Sequence, residues 1–255
     1  MQLNSYEWGD PDAPPVICVH GVGQHALTWR RVAEERWSKH FRVIAFDLRG
    51  HGGSGWNPPW TNATLAADLI ASIDALEIER PHWVGLSLGG RLLLEMAVSN
   101  PDRIARAALL EPVIQTSPEV VLRRAQQELT GDVWDSVEAF LASRENTGHV
   151  DPKFFDEIAE QFEDLPDGRV RRRTCQPAIV SIFSEFAAPS PPPETLTVPA
   201  MILHAPAFGM VTADQLAAYR PYVEQIVEVP GLHNVLWTAF DRTADAVERF
   251  LLGTA

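Results

Sequence analysis

The chain has 255 residues, 45% hydrophobic and 22% charged, enough to bury one large core and close to the composition of ordinary globular domains. Its net charge of −13 excludes the basic surface that nucleic-acid phosphates require, and no apolar run reaches the roughly 20 residues that cross a bilayer. Met1-Gln2-Leu3-Asn4 lacks the basic-then-apolar pattern of a leader, and Cys18 falls inside a buried-strand run, so no disulfide and a reducing, cytoplasmic location are expected.

Strand-like runs occupy residues 3–8, 16–19, 43–46, 82–84, 107–110, 200–203 and 225–229. The first reads as an edge strand. Several others are apolar throughout, the pattern of strands covered on both faces. Helical patterns at 63–76, 89–99 and 243–252 lie between and after them. This alternation predicts a mostly parallel, doubly wound α/β sheet.

Between residues 115 and 189 the alternation stops. Four helix-like patterns and no strand-like run are visible there, which predicts a helical cap inserted into a core made of residues 1–114 and 190–255. Asp132 reads as the N-cap of the second cap helix, with Val133, Trp134, Val137, Phe140 and Leu141 on one face. Asp151-Pro152 opens the third, whose apolar face is Phe154, Phe155, Ile158 and Phe162. Arg169, Arg171, Arg172 and Arg173, beside Glu163, Asp164 and Asp167, read as a solvated and locally paired surface. Recognition of an anionic substrate is the alternative. Pro189-Ser190-Pro191-Pro192-Pro193 is a stiff connector back to the sheet.

Gly85-Leu86-Ser87-Leu88-Gly89 sits between the 82–84 strand and a helix. A turn that tight tolerates no bulk two residues either side of the serine, and it exposes the hydroxyl at the start of a helix. Ser87 is therefore the candidate nucleophile. His20-Gly21-Val22-Gly23 follows the first central strand, so the backbone N–H groups of Val22 and Leu88 are candidates to hold an oxyanion. Among eight histidines, His233 in Pro230-Gly231-Leu232-His233-Asn234 follows the last strand, at the sheet edge where open α/β sheets collect their sites. It is the candidate base. His20 and His51 read as loop-ordering residues.

Taken with Asp47-Leu48-Arg49-Gly50-His51-Gly52-Gly53-Ser54, these motifs resemble the α/β-hydrolase superfamily over nearly the whole chain outside the cap. The resemblance implies a chain order of nucleophile, acid and histidine, and a cap that shapes the substrate pocket. It also implies that an edge strand usually preceding these motifs is missing here. Ser87 stands where epoxide hydrolases and several dehalogenases carry aspartate, which disfavours those activities. The family's usual acid loop reads His204-Ala205-Pro206-Ala207-Phe208-Gly209-Met210-Val211 here and holds no carboxylate. Three readings stay open: Glu111 after the 107–110 strand, Asp214 at a helix start, or a Ser–His pair without an acid. Glu111 is preferred, an arrangement similar to that of zearalenone-degrading lactonases.

The expected reaction is hydrolysis of a carboxylic ester or lactone through an acyl-enzyme. The alternatives are a cofactor-free oxygenase or perhydrolase and a ligand-sensing protein with little turnover. The large apolar residues of the cap predict a small apolar substrate, with Val113, Trp134, Phe154 and Phe183 as candidate pocket residues. No metal-ligand spacing, phosphate loop or dinucleotide fingerprint appears, so no cofactor and no metal are expected. Nucleic-acid and membrane partners are not expected either.

Overall fold

The computed structural model describes residues 1–143 and 152–254. The chain opens with strands β1 (Ser5–Trp8) and β2 (Pro15–Val19), helix α1 (Arg30–Glu35) and β3 (Arg42–Phe46). Helix α2 (Asn62–Ala75), capped by the Thr61 hydroxyl, leads to β4 (His82–Leu86), α3 (Leu88–Ser99) and β5 (Ala107–Leu110). The chain then leaves the sheet for α4 (Pro118–Leu129), β6 (Val133–Trp134), α5 (Val137–Ala142), α6 (Phe155–Ala159), β7 (Phe162–Asp164), β8 (Val170–Arg172) and α7 (Gln176–Glu185). It returns through β9 (Ala200–His204), α8 (Ala213–Tyr219), β10 (Gln225–Glu228), α9 (Val235–Thr238) and α10 (Phe240–Leu252).

Seven strands form one sheet in the order β1-β3-β2-β4-β5-β9-β10, parallel throughout except for the edge pair β1 and β3. Successive side chains of a strand point to opposite faces, and both faces are covered. Along β2, Ile17 and Val19 join one apolar layer while Val16 and Cys18 join the other; β3 divides Ile44 and Phe46 from Val43 and Ala45 in the same way. Helices α2 and α3 close the first layer with Leu65, Leu69, Leu92 and Met96. Helices α1 and α10 close the second with Val32, Ala33, Val247 and Phe250. Strands buried on two sides have no polar alternation, which is why their runs read as apolar throughout.

The segment between β5 and β9 departs from the all-helical expectation. Strands β6, β8 and β7 pair antiparallel into a second, three-stranded sheet. Asp132 caps no helix: Val133 and Trp134 are strand, and the Ser136 hydroxyl caps α5 by accepting the Ala139 N–H at 3.1 Å. The expected cap at Asp151 lies outside the described residues. β8 holds one apolar residue in three, so its strand character comes from backbone pairing on both sides rather than from any hydrophobic pattern.

Both ends of this segment meet at Arg91 in α3. Its Nη1 donates to the carbonyls of Ile114 at 3.0 Å and Ala188 at 3.2 Å, and its Nη2 to Pro189 at 2.9 Å. Its Nε bonds Glu95 at 2.9 Å, one turn along the helix. Arg91 is fully buried, and these bonds satisfy its charge and three backbone acceptors together.

Candidate active site

A single residue, Ser87, separates β4 from α3, with φ +55° and ψ −108°. The crowding around it explains the flanking glycines. A Cβ on Gly85 would stand 2.4 Å from the Gly89 carbonyl carbon, and one on Gly89 would stand 2.2 Å from the Val19 oxygen. The strained backbone is held by bonds from the Ser87 N–H to Leu110 O at 2.9 Å and from the Arg91 N–H to Ser87 O at 3.0 Å.

His233 lies on the loop between β10 and α9. Its Nε2 is 2.9 Å from Ser87 Oγ, and its Nδ1 is 3.2 Å from Glu111 Oε2. Glu111 is the first residue past β5, fully buried, with φ +45°. Its second oxygen, Oε1, accepts the Ala205 N–H at 2.7 Å, so both carboxylate oxygens are engaged. A carboxylate at Nδ1 keeps the proton there and leaves Nε2 free to take one from the hydroxyl. Asp214 stands apart, in the first turn of α8 behind the Thr212 cap. The loop without a carboxylate contributes an aromatic ring instead. Phe208 stacks on the imidazole at 4.8 Å between centroids, a contact no sequence signal announced.

Leu88 opens α3 directly after Ser87, and Val22 lies across the site on a turn closed by Gly21 N–H to Gln24 Oε1 at 2.9 Å. This turn rests on the serine: a Cβ on Gly21 would meet Ser87 Cβ at 3.4 Å. Two buried histidines tie the turn to the neighbouring loop. His20 Nδ1 donates to Gly21 O at 2.8 Å and its Nε2 accepts the Leu48 N–H at 3.0 Å. His51 Nδ1 donates to Arg49 O and its Nε2 accepts the Gly23 N–H, both at 3.1 Å. Accepting at Nε2 requires neutral rings, and burial holds both below the usual histidine pKa, His51 well below it. Asp47 anchors the same junction, accepting from Ala26 N at 2.7 Å and from Gly53 N at 2.8 Å.

A cavity of about 540 Å³ opens over Ser87 and His233, walled in part by Val22, Val113, Val121, Ile179 and Phe183. Val113 and Phe183 therefore stand where the sequence reading put them. Trp134 and Phe154 do not line it. Trp134 packs edge-on against Phe140 at 5.0 Å and Phe162 at 6.1 Å, where it joins the small sheet to α5. Phe154 is buried between Phe240 at 5.9 Å and the Arg31 guanidinium at 4.6 Å, where it joins the inserted segment to α10. Both are apolar residues spent on holding elements together. The arginine run also needs correcting. Arg169 and Arg171 are exposed and pair with Asp167 and Glu163, but Arg172 is buried, lines the cavity and pairs with buried Glu128. Strand alternation in β8 turns one arginine in and its neighbour out.

Among the described residues no three His, Cys, Asp or Glu side chains gather as a metal site, and no helix is long and apolar enough to cross a membrane.

A seven-stranded, mostly parallel sheet with a serine at a strained strand–helix turn and a histidine on the loop after its last strand is the architecture of one family. The chain belongs to the α/β-hydrolase fold family, whose pattern matches residues 14–173. Lipase LipV of Mycobacterium tuberculosis is 30% identical over 223 residues, 86% of this chain and 84% of that protein. The pimeloyl-[acyl-carrier protein] methyl ester esterase of Methylococcus capsulatus is 33% identical over 139 residues, 51% of this chain and 52% of that one. Among solved structures, the enol-lactonase of Burkholderia xenovorans LB400 superposes with a TM-score of 0.80 at 25% identity, covering 98% of this chain and 96% of the other.

Proposed function

We propose that the protein is a serine hydrolase that cleaves a carboxylic ester or lactone with an apolar group through an acyl-enzyme. The observation that carries this reading is the bonded series Ser87 Oγ, His233 Nε2, His233 Nδ1, Glu111 Oε2, with steps of 2.9 and 3.2 Å across the imidazole. In this reading His233 takes the Ser87 proton as Oγ attacks the carbonyl carbon. The N–H groups of Val22 and Leu88 stabilise the oxyanion, and His233 returns the proton to the leaving alkoxide. Water, deprotonated by the same imidazole, then releases the acid. Relatives named lipase, esterase and enol-lactonase support ester chemistry. The apolar stretch of wall from Val113, Val121, Ile179 and Phe183 supports an apolar acyl or alcohol group.

The test is covalent. A fluorophosphonate should label the wild type stoichiometrically and Ser87→Ala not at all, and the variant should lose about four or more orders of magnitude in kcat toward a p-nitrophenyl ester. Turnover should be unchanged under anaerobic conditions. Labelling that survives the substitution removes Ser87 from the mechanism.

A further inference from the structure

Arg172 reaches into the cavity from β8, yet its surroundings suit it for holding backbone rather than for binding an anion. Glu128 of α4 pairs with it, and both side chains are almost wholly excluded from solvent. The guanidinium also lies 5.3 Å from the Trp134 ring and 5.7 Å from the Phe140 ring. A cation neutralised and enclosed in this way has little charge left for a substrate group.

The guanidinium also lies against Gly23: a Cβ there would stand 2.8 Å from Arg172 Nη1. Gly23 has φ +76° and gives its N–H to His51 Nε2. It directly follows Val22, whose N–H the proposed mechanism aims at the oxyanion. The chain beyond Arg172 grips the other side of the same junction. Gly52 N–H donates to Arg173 O at 2.9 Å, Thr174 bridges to His51, and Cys175 N–H donates to Gly50 O at 2.8 Å. One continuous path therefore runs from Glu128 through Arg172 to Gly23, and a parallel one runs from residues 173–175 to the loop carrying His51.

We infer that Arg172, locked by Glu128, is a positioning residue that holds the Gly21–Gly23 turn so that the Val22 N–H meets the oxyanion. The inference rests on the acyl-enzyme reading of the site. It assigns to the inserted segment a part in transition-state stabilisation besides forming the pocket wall. A donor must be in place before charge develops, so loosening its loop lowers kcat while leaving ground-state binding nearly unchanged.

The experiment compares Arg172→Met, Arg172→Lys and the double variant Arg172→Met/Glu128→Gln, which neutralises both members of the buried pair if the single variant fails to fold. Each is measured for kcat and KM on p-nitrophenyl butyrate and for inhibition by phenylboronic acid, which forms a tetrahedral adduct on a nucleophilic serine. The folded methionine variant, single or double, should lose about 10- to 100-fold in kcat and a similar factor in boronate affinity, with KM within about threefold. Lysine, which keeps the charge but not the planar fork, should recover part of the loss. A folded variant with wild-type kcat and boronate affinity overturns the inference while the acyl-enzyme reading stands. So does a rise in KM alone, which would make Arg172 simple pocket wall. A wild type whose turnover is independent of Ser87 overturns both.

Discussion

Glu111 occupies backbone space that side chains other than glycine rarely enter, with φ +45°, immediately past a strand end. Such strain persists only where surrounding bonds over-determine it, and here the Glu111 N–H to Leu203 O bond at 2.8 Å and both carboxylate oxygens do so. Replacing the carboxylate by an amide offers His233 Nδ1 a donor as readily as an acceptor, which favours the wrong tautomer. Glu111→Gln should therefore lower kcat by about 10²–10⁴, whereas Asp214→Asn should change it less than about threefold. Thermal melts run alongside separate lost chemistry from lost folding. The reverse ranking would move the acid to Asp214, and two silent variants would leave a Ser–His pair. Ser87 and His233 were legible in the sequence because steric crowding dictates the glycines around a strained turn and chain order places a histidine after the last strand. Phe208 was not, because nothing local to a loop says which ring its path will bring against an imidazole. Trp134 and Phe154 misled because an apolar side chain looks the same in sequence whether it lines a cavity or joins two elements.

The small sheet of β6, β8 and β7 was hidden for a related reason. Strands of two or three residues carry too few positions for a period to show, and Val-Arg-Arg holds a single strand-favouring residue. The main-sheet strands, apolar on both faces, were readable to within two residues at either end. At this scale the clearest energetic test is the Arg91 junction in α3. Arg91→Met deletes four bonds and strands the carbonyls of Ile114, Ala188 and Pro189 in a dry environment. Hydrogen bonds from a charged donor are worth about 1.5–3 kcal/mol each when alone and are not additive, so a loss of about 2–4 kcal/mol in urea unfolding is expected. A change under about 1 kcal/mol would mean that water replaces the guanidinium at little cost.

For the molecule as a whole, protons act on stability from two directions. His20, His25, His51 and His82 are held below the ordinary histidine value chiefly by burial, His25 down to about 4. The unfolded chain takes up these protons below about pH 6.5 while the folded chain resists them, so this contribution is complete above that pH and is lost as pH falls. Glu157 acts oppositely. Burial beside α1 raises its carboxyl from 4.5 to about 7, against the pull of the Arg31 N–H at 2.9 Å and of the Arg31 and Arg30 charges. Between those two values the folded chain keeps a proton the unfolded chain has released, so stability declines as pH rises through them. Glu157→Gln keeps an acceptor for the Arg31 N–H and removes the buried charge. It should be more stable than wild type by about 1–3 kcal/mol at pH 8, with the gain gone by about pH 4. Equal melting curves at both pH values would show that the carboxyl ionises without penalty.

The Arg91 clasp also bears on how this chain could diversify. Ile114 and Ala188 accept from the same guanidinium nitrogen, so everything between them is a loop closed at its base by the helix that follows Ser87. For a loop whose ends are pinned, doubling the length adds only about 0.6 kcal/mol of closure entropy. Insertions, deletions or whole replacements there can thus alter what enters the cavity while the geometry of Ser87, His233 and Glu111 stays with the sheet. The limit on such exchange is Arg172: a substitute segment must also bring its own hold on Gly23, so new specificity and retained rate are inherited through different residues of the same interchangeable part.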